Sequence, residues 1–129
     1  MELVTLRRGL SLVGAFLVLI LLASGCSKER DNSPVSRAEL SQRALTLAPS
    51  DPDIAEIYSR TCRSCHGTGV SAAPLTGDLA SWEPRLDKGM NVLVENVING
   101  FQGMPPLGLC FECSPDQFEQ LIAFMATAE

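Results

Sequence analysis

Residues 60–69 read RTCRSCHGTG and bring two thiols and an imidazole within five positions: Cys62, Cys65 and His66. No other histidine occurs in the chain. On a helix, positions i, i+3 and i+4 share one face, so all three groups point the same way. C-x-x-C-H is the attachment signature of covalent c-type haem. Cys62 and Cys65 can form thioethers with the two haem vinyl groups while His66 reaches the iron from one side. Covalent attachment keeps the haem bound in both redox states and outside the cytoplasm.

Five cysteines occur in all, Cys26, Cys62, Cys65, Cys110 and Cys113. Cys62/Cys65 and Cys110/Cys113 together have a plausible zinc ligand set. Their separation is long for a zinc ribbon, though, and a zinc site leaves His66 without a task. A thioredoxin-type pair is disfavoured because no strand-helix-strand pattern surrounds either C-x-x-C. With haem on the first pair, Cys110 and Cys113 are free to bond to each other.

Having one histidine excludes bis-histidine coordination, which leaves methionine sulfur as the usual second iron ligand. Met104 lies in NGFQGMPPLG, between glycines and just before Pro105-Pro106. Two prolines fix the backbone and remove two N–H donors, so this loop can hold a sulfur in one place. Met90 and Met125 fall on apolar helical faces and are expected in the core. A ligating imidazole normally donates its other N–H to a fixed acceptor. The carbonyl of Pro74, in SAAPLTGD after the attachment motif, is the candidate.

Helices must position these groups. Asp51 or Ser50 caps a start with Pro52 in the first turn, and Ile54, Ile57, Tyr58, Thr61 and Cys62 follow at helical spacing. A short helix is predicted over 78–86 and another over 90–98, where Asn99-Gly100 gives a stop signal. Ser114-Pro115-Asp116-Gln117 forms a capping box with proline at N1. Phe118, Leu121, Ile122 and Met125 give that last helix an apolar face, expected to pack across the first. No stretch alternates as a strand does. The expected fold is all-α, about four helices around one haem.

Ahead of this unit, Arg7-Arg8 precede an apolar run of 14 residues, Leu10 to Ala23. That is short of the roughly 20 residues that span a bilayer. It reads as a signal peptide, and Ala23-Ser24-Gly25-Cys26 resembles a bacterial lipobox, with Cys26 as the lipidated residue. The alternative is an uncleaved anchor helix. Three segments follow: 1–25 as a lipoprotein signal, 26–50 as the lipidated cysteine with a polar tether, and 51–129 as the haem domain. The chain carries 10 Lys and Arg against 15 Asp and Glu, a net charge of −5. No basic cluster follows the signal, which disfavours nucleic acid as a partner.

The segment 51–129 resembles the class I c-type cytochromes, cytochrome c5 in particular. The resemblance rests on Tyr58, CRSCH at 62–66, APLTGD at 73–78, Trp82 with Pro84-Arg85, KGM at 88–90, VINGF at 97–101 and MPPLGLCFEC at 104–113. It implies one covalent haem c, with His66 and Met104 as axial ligands, and a Cys110–Cys113 disulfide. Trp82 and Arg85 are candidates to hydrogen-bond a haem propionate; Tyr58 is expected to be structural. The function so implied is that of a periplasmic, lipid-tethered electron carrier between redox proteins, with no small-molecule substrate and no enzymatic reaction. A haem sensor with a displaceable sixth ligand is the alternative.

Overall fold

The computed structural model describes residues 35–129. The signal segment and Cys26 lie outside the described residues. Among the described residues six α-helices run in order: α1 (Arg37–Ala44), α2 (Pro52–Ile57), α3 (Arg63–His66), α4 (Leu79–Leu86), α5 (Met90–Asn99) and α6 (Pro115–Thr127). A π-helical turn, Tyr58–Cys62, joins α2 to α3. No strand occurs among the described residues; Phe101 and Met104 form an isolated antiparallel bridge.

Local chemistry explains the helix starts. Asp51 accepts from the N–H groups of Asp53 and Ile54, with Pro52 at N1. At α6, the Ser114 hydroxyl accepts from Gln117 N, and the Gln117 side chain accepts from Ser114 N. Each such cap satisfies an N–H that the helix itself leaves orphaned.

The core forms where α6 meets α2 and the π turn. Ile54, Ile57 and Tyr58 pack with Phe118, Leu121, Ile122, Phe124 and Met125, joined by Trp82 of α4 and Leu93, Val94 and Val97 of α5. Tyr58 and Phe124 meet edge to face with centroids 5.0 Å apart, an arrangement that aromatic quadrupoles favour. Leu121 is 1 % exposed. Leu121→Ala should therefore cost about 2–5 kcal/mol, read as a lower denaturation midpoint of the holoprotein.

Two expectations need correction. The first concerns the helix leading into the attachment motif, which is not a uniform α-helix. The Arg63 N–H bonds to Tyr58 O, five residues back, and the Thr61 hydroxyl donates to Ile57 O. Such a widened turn often marks a functional site. The second concerns the tether, which does not extend to residue 50. Ser36 and Glu39 build a full capping box on α1, Ala44 is completely buried, and Leu47 packs against the core. Ala44 and Leu47 bury apolar surface that a solvated linker would leave in water.

Candidate haem site

A cavity of about 340 Å³ opens between α3, α4, α5 and the loops after α3 and α5. Cys62, Cys65, His66, Pro74, Trp82, Arg85 and Met104 all line it. Sequence-distant residues thus share one wall system, with both thiols free and half-buried.

His66 is 6 % exposed. Its Nδ1 lies 2.8 Å from the carbonyl oxygen of Pro74. A carbonyl can only accept, so Nδ1 carries the proton and Nε2 keeps its lone pair. Among the described residues Nε2 has no hydrogen-bond partner, and no fully buried side-chain N or O there lacks one, so Nε2 is not sealed in the core. Burial pushes the imidazole pKa down, opposed by the Pro74 bond and helped by the Arg85 charge. A neutral ring with a free Nε2 is what a metal ligand requires. Burial likewise pushes the Cys62 thiol pKa up.

The segment 74–76 serves three rings at once. His66 donates to Pro74 O, Trp82 Nε1 donates to Leu75 O at 2.8 Å, and the Tyr58 hydroxyl pairs with Thr76 Oγ1 at 3.0 Å. The His66 and Trp82 rings stack with centroids 5.8 Å apart. Trp82 thus spends its only donor on a backbone carbonyl and not on a propionate, correcting that expectation. Arg85 Nη1 donates to Ser81 O while still lining the cavity. Trp82→Phe leaves the Leu75 carbonyl without its partner. The variant should lose about 1–3 kcal/mol, measured by chemical denaturation.

Met104 is half-buried. Its loop is closed by paired backbone bonds, Phe101 N to Met104 O at 3.1 Å and Met104 N to Phe101 O at 2.9 Å. Gly100 has φ +79°, and a β-carbon there would come within 3.0 Å of both Met104 O and Pro106 N. The glycine read as a helix stop thus also lets the loop fold back on itself. Met125 is buried as expected and also borders the cavity. Cys110 and Cys113 are joined by a disulfide with Cα atoms 5.4 Å apart. Between them Glu112 pairs with Arg60 of the π turn. Thr61, Val70, Ser71 and Gly103 also line the cavity; no sequence signal marked Val70 or Ser71.

The donor set fits a c-type haem: two free thiols, a neutral imidazole held through Nδ1, and a thioether, all on one cavity. The family described as "Cytochrome C oxidase, cbb3-type, subunit III" matches residues 49–125. The chain belongs to the class I c-type cytochromes.

Among its relatives, cytochrome c5 of Ectopseudomonas mendocina is 38% identical over 73 residues, covering 55% of this chain and 84% of that one. Cytochrome c-555 of Chlorobaculum thiosulfatiphilum is 40% identical over 72 residues, covering 53% and 84%. A mono-haem ferrocytochrome c from Shewanella putrefaciens has the same fold, at 40% identity and a TM-score of 0.54, covering 63% of this chain and 100% of that one. A cytochrome c structure solved in an electron-transfer complex with nitrite reductase aligns at 33% identity and a TM-score of 0.54, covering 60% of this chain and 95% of that one. Like these relatives, the cytochrome carries one covalent haem c and is an electron carrier, not an enzyme. No helix among the described residues is long and apolar enough to cross a membrane.

Proposed function

We propose that this cytochrome is a periplasmic, lipid-tethered shuttle that passes single electrons between redox proteins, with His66 and Met104 as axial ligands. The observation that carries the reading is the single cavity shared by Cys62, Cys65, His66 and Met104. When bound, the haem supplies an iron that gains or loses one electron. Cys62 and Cys65 would hold the haem through thioethers. His66 offers Nε2, and the Pro74 carbonyl keeps that ring from turning. Met104 offers a thioether sulfur from a loop closed by the Phe101 bridge and stiffened by Pro105-Pro106. A stiff ligand loop limits rearrangement between the two oxidation states. With His66 and Met104 both bound to the iron, no position would be left for a substrate.

The tether reading rests on the Ala23-Ser24-Gly25-Cys26 motif. Nine residues, 27–35, separate Cys26 from the Ser36 cap of α1. Nine residues reach at most about 30 Å, which would confine partner search to a thin layer at the membrane. The nitrite reductase complex of a structural neighbour supports a redox enzyme as the class of partner. Such exchange uses small, short-lived interfaces.

Spectra of the cytochrome matured in a periplasm with its haem-attachment machinery test the reading. The reduced, low-spin form should ignore carbon monoxide. Cys26→Ser should move the protein from the membrane fraction to the soluble periplasm. Ready carbon monoxide binding by the native protein would favour the ligand sensor instead. Retention of Cys26→Ser in membranes would point to an anchor helix.

A further inference from the structure

The helix α1 precedes the stretch that the family matches, residues 49–125, yet it touches the loop that follows the ligand histidine. Ser41 Oγ donates to Gly67 O at 2.9 Å, and Arg37 Nη2 donates to Gly69 O at 3.2 Å. Arg63, inside the attachment motif, donates back to Leu45 O at the end of the helix. At Gly67 and Gly69 the approach of α1 is close. A β-carbon on Gly67 would lie 2.9 Å from Leu45 Cδ2, and one on Gly69 would lie 2.4 Å from Arg37 Nη2.

The same loop then reaches the other side of the site. After Gly69, itself at φ +73°, Ser71 and Ala72 adopt φ +53° and +62°. Non-glycine residues hold such angles only when their surroundings enforce them. Ser71 abuts Gly103, whose β-carbon, if present, would lie 2.7 Å from Ser71 Cβ and 3.0 Å from Ser71 O. Gly103 is the neighbour of Met104. A continuous line of contacts therefore runs from α1 through Gly67, Gly69 and Ser71 to the methionine loop.

We infer that Arg37 and Ser41 are positioning residues for the Met104 loop: α1 holds loop 67–72 against Gly103 and so keeps the methionine side of the site closed. The inference rests on the His66/Met104 ligation proposed above. Helix α1 thereby supports the haem site from ahead of the stretch that the family matches. Its action is on how often the loop opens, a local event that need not involve global unfolding.

The test is entry of exogenous imidazole into the ferric holocytochrome, which can bind only when Met104 leaves the iron. The double variant Arg37→Ala/Ser41→Ala should bind imidazole about tenfold faster, the effect expected for two lost hydrogen bonds. Exchange of the Phe101 and Met104 amides, which close the loop, should accelerate with it. Arg37→Lys/Ser41→Thr, which keeps both donors, should restore the native rate. Ala44→Asp, which forces a charge under α1, should act like the double variant if the mechanism is undocking. Unchanged imidazole entry in both the double variant and Ala44→Asp would overturn the inference. If Met104→Ala binds imidazole no faster than the native protein, the ligation reading fails and this inference falls with it.

Discussion

Met104→Ala should convert a ferrous cytochrome that ignores carbon monoxide into one that binds it readily. Its reduction potential should fall at the same time. Both effects follow from the position of the side chain. Met104 lines the cavity shared with His66, and no second histidine exists to replace it. Met90 and Met125 sit on α5 and α6, packed against or within the core, so neither can take its place without unpacking that core. Alanine has no donor atom, so water or an added ligand takes the vacated position. A thioether stabilises ferrous over ferric iron relative to harder ligands. The expected fall is on the order of 0.1 V, within the ~0.8 V over which axial ligands tune haem potentials. The loop itself should survive, because its closure is backbone-made: the Phe101–Met104 bridge and the prolines do not use the methionine side chain. Carbon monoxide difference spectra and a redox titration of the purified variant check both effects. Unchanged spectra and potential would remove Met104 from the iron.

Cys62→Ser/Cys65→Ser should yield a protein without covalent haem and largely without its fold. Without haem, the folded chain keeps a cavity of about 340 Å³ bordered by Trp82, Leu93, Val97, Ile122 and Met125. That cavity opens to solvent, so without haem its apolar walls stand in water instead of being covered. A typical domain has only about 5–15 kcal/mol of stability, and a unit this small has little to spare. The Cys110–Cys113 disulfide closes too short a loop to compensate, contributing only about 2 kcal/mol. Circular dichroism of the variant should show most of the helical signal lost at room temperature. Retention of the native spectrum without haem would show that the protein scaffold folds unaided. The single variants should retain one thioether and fold, with lower thermal midpoints.

The sequence alone determined whatever depends on short spacing. Cys62, Cys65 and His66 fall within one helical turn, so their common face follows from helix geometry wherever the helix sits. The same holds for the caps at Asp51 and Ser114 and for the apolar face of α6. The solitary histidine and Met104, set between glycines and followed by two prolines, narrowed the second ligand by chemistry, and the family resemblance joined them.

Tertiary structure decided what depends on where the backbone goes. Trp82 reads as a propionate donor until the chain path puts the Leu75 carbonyl 2.8 Å from its N–H; a peptide oxygen carries no side-chain signature. The π turn at Tyr58–Cys62 is likewise silent, because its residues keep helical spacing while one extra residue is accommodated. Residues 37–47 look like linker because they are polar overall. They dock because Ala44 and Leu47 find apolar surface and Ser41 finds a loop carbonyl, partners supplied by residues far along the chain. Local rules fix which groups can do chemistry; long-range packing fixes which of them are held in place, since the packing partners are chosen by the fold and not by neighbours in sequence.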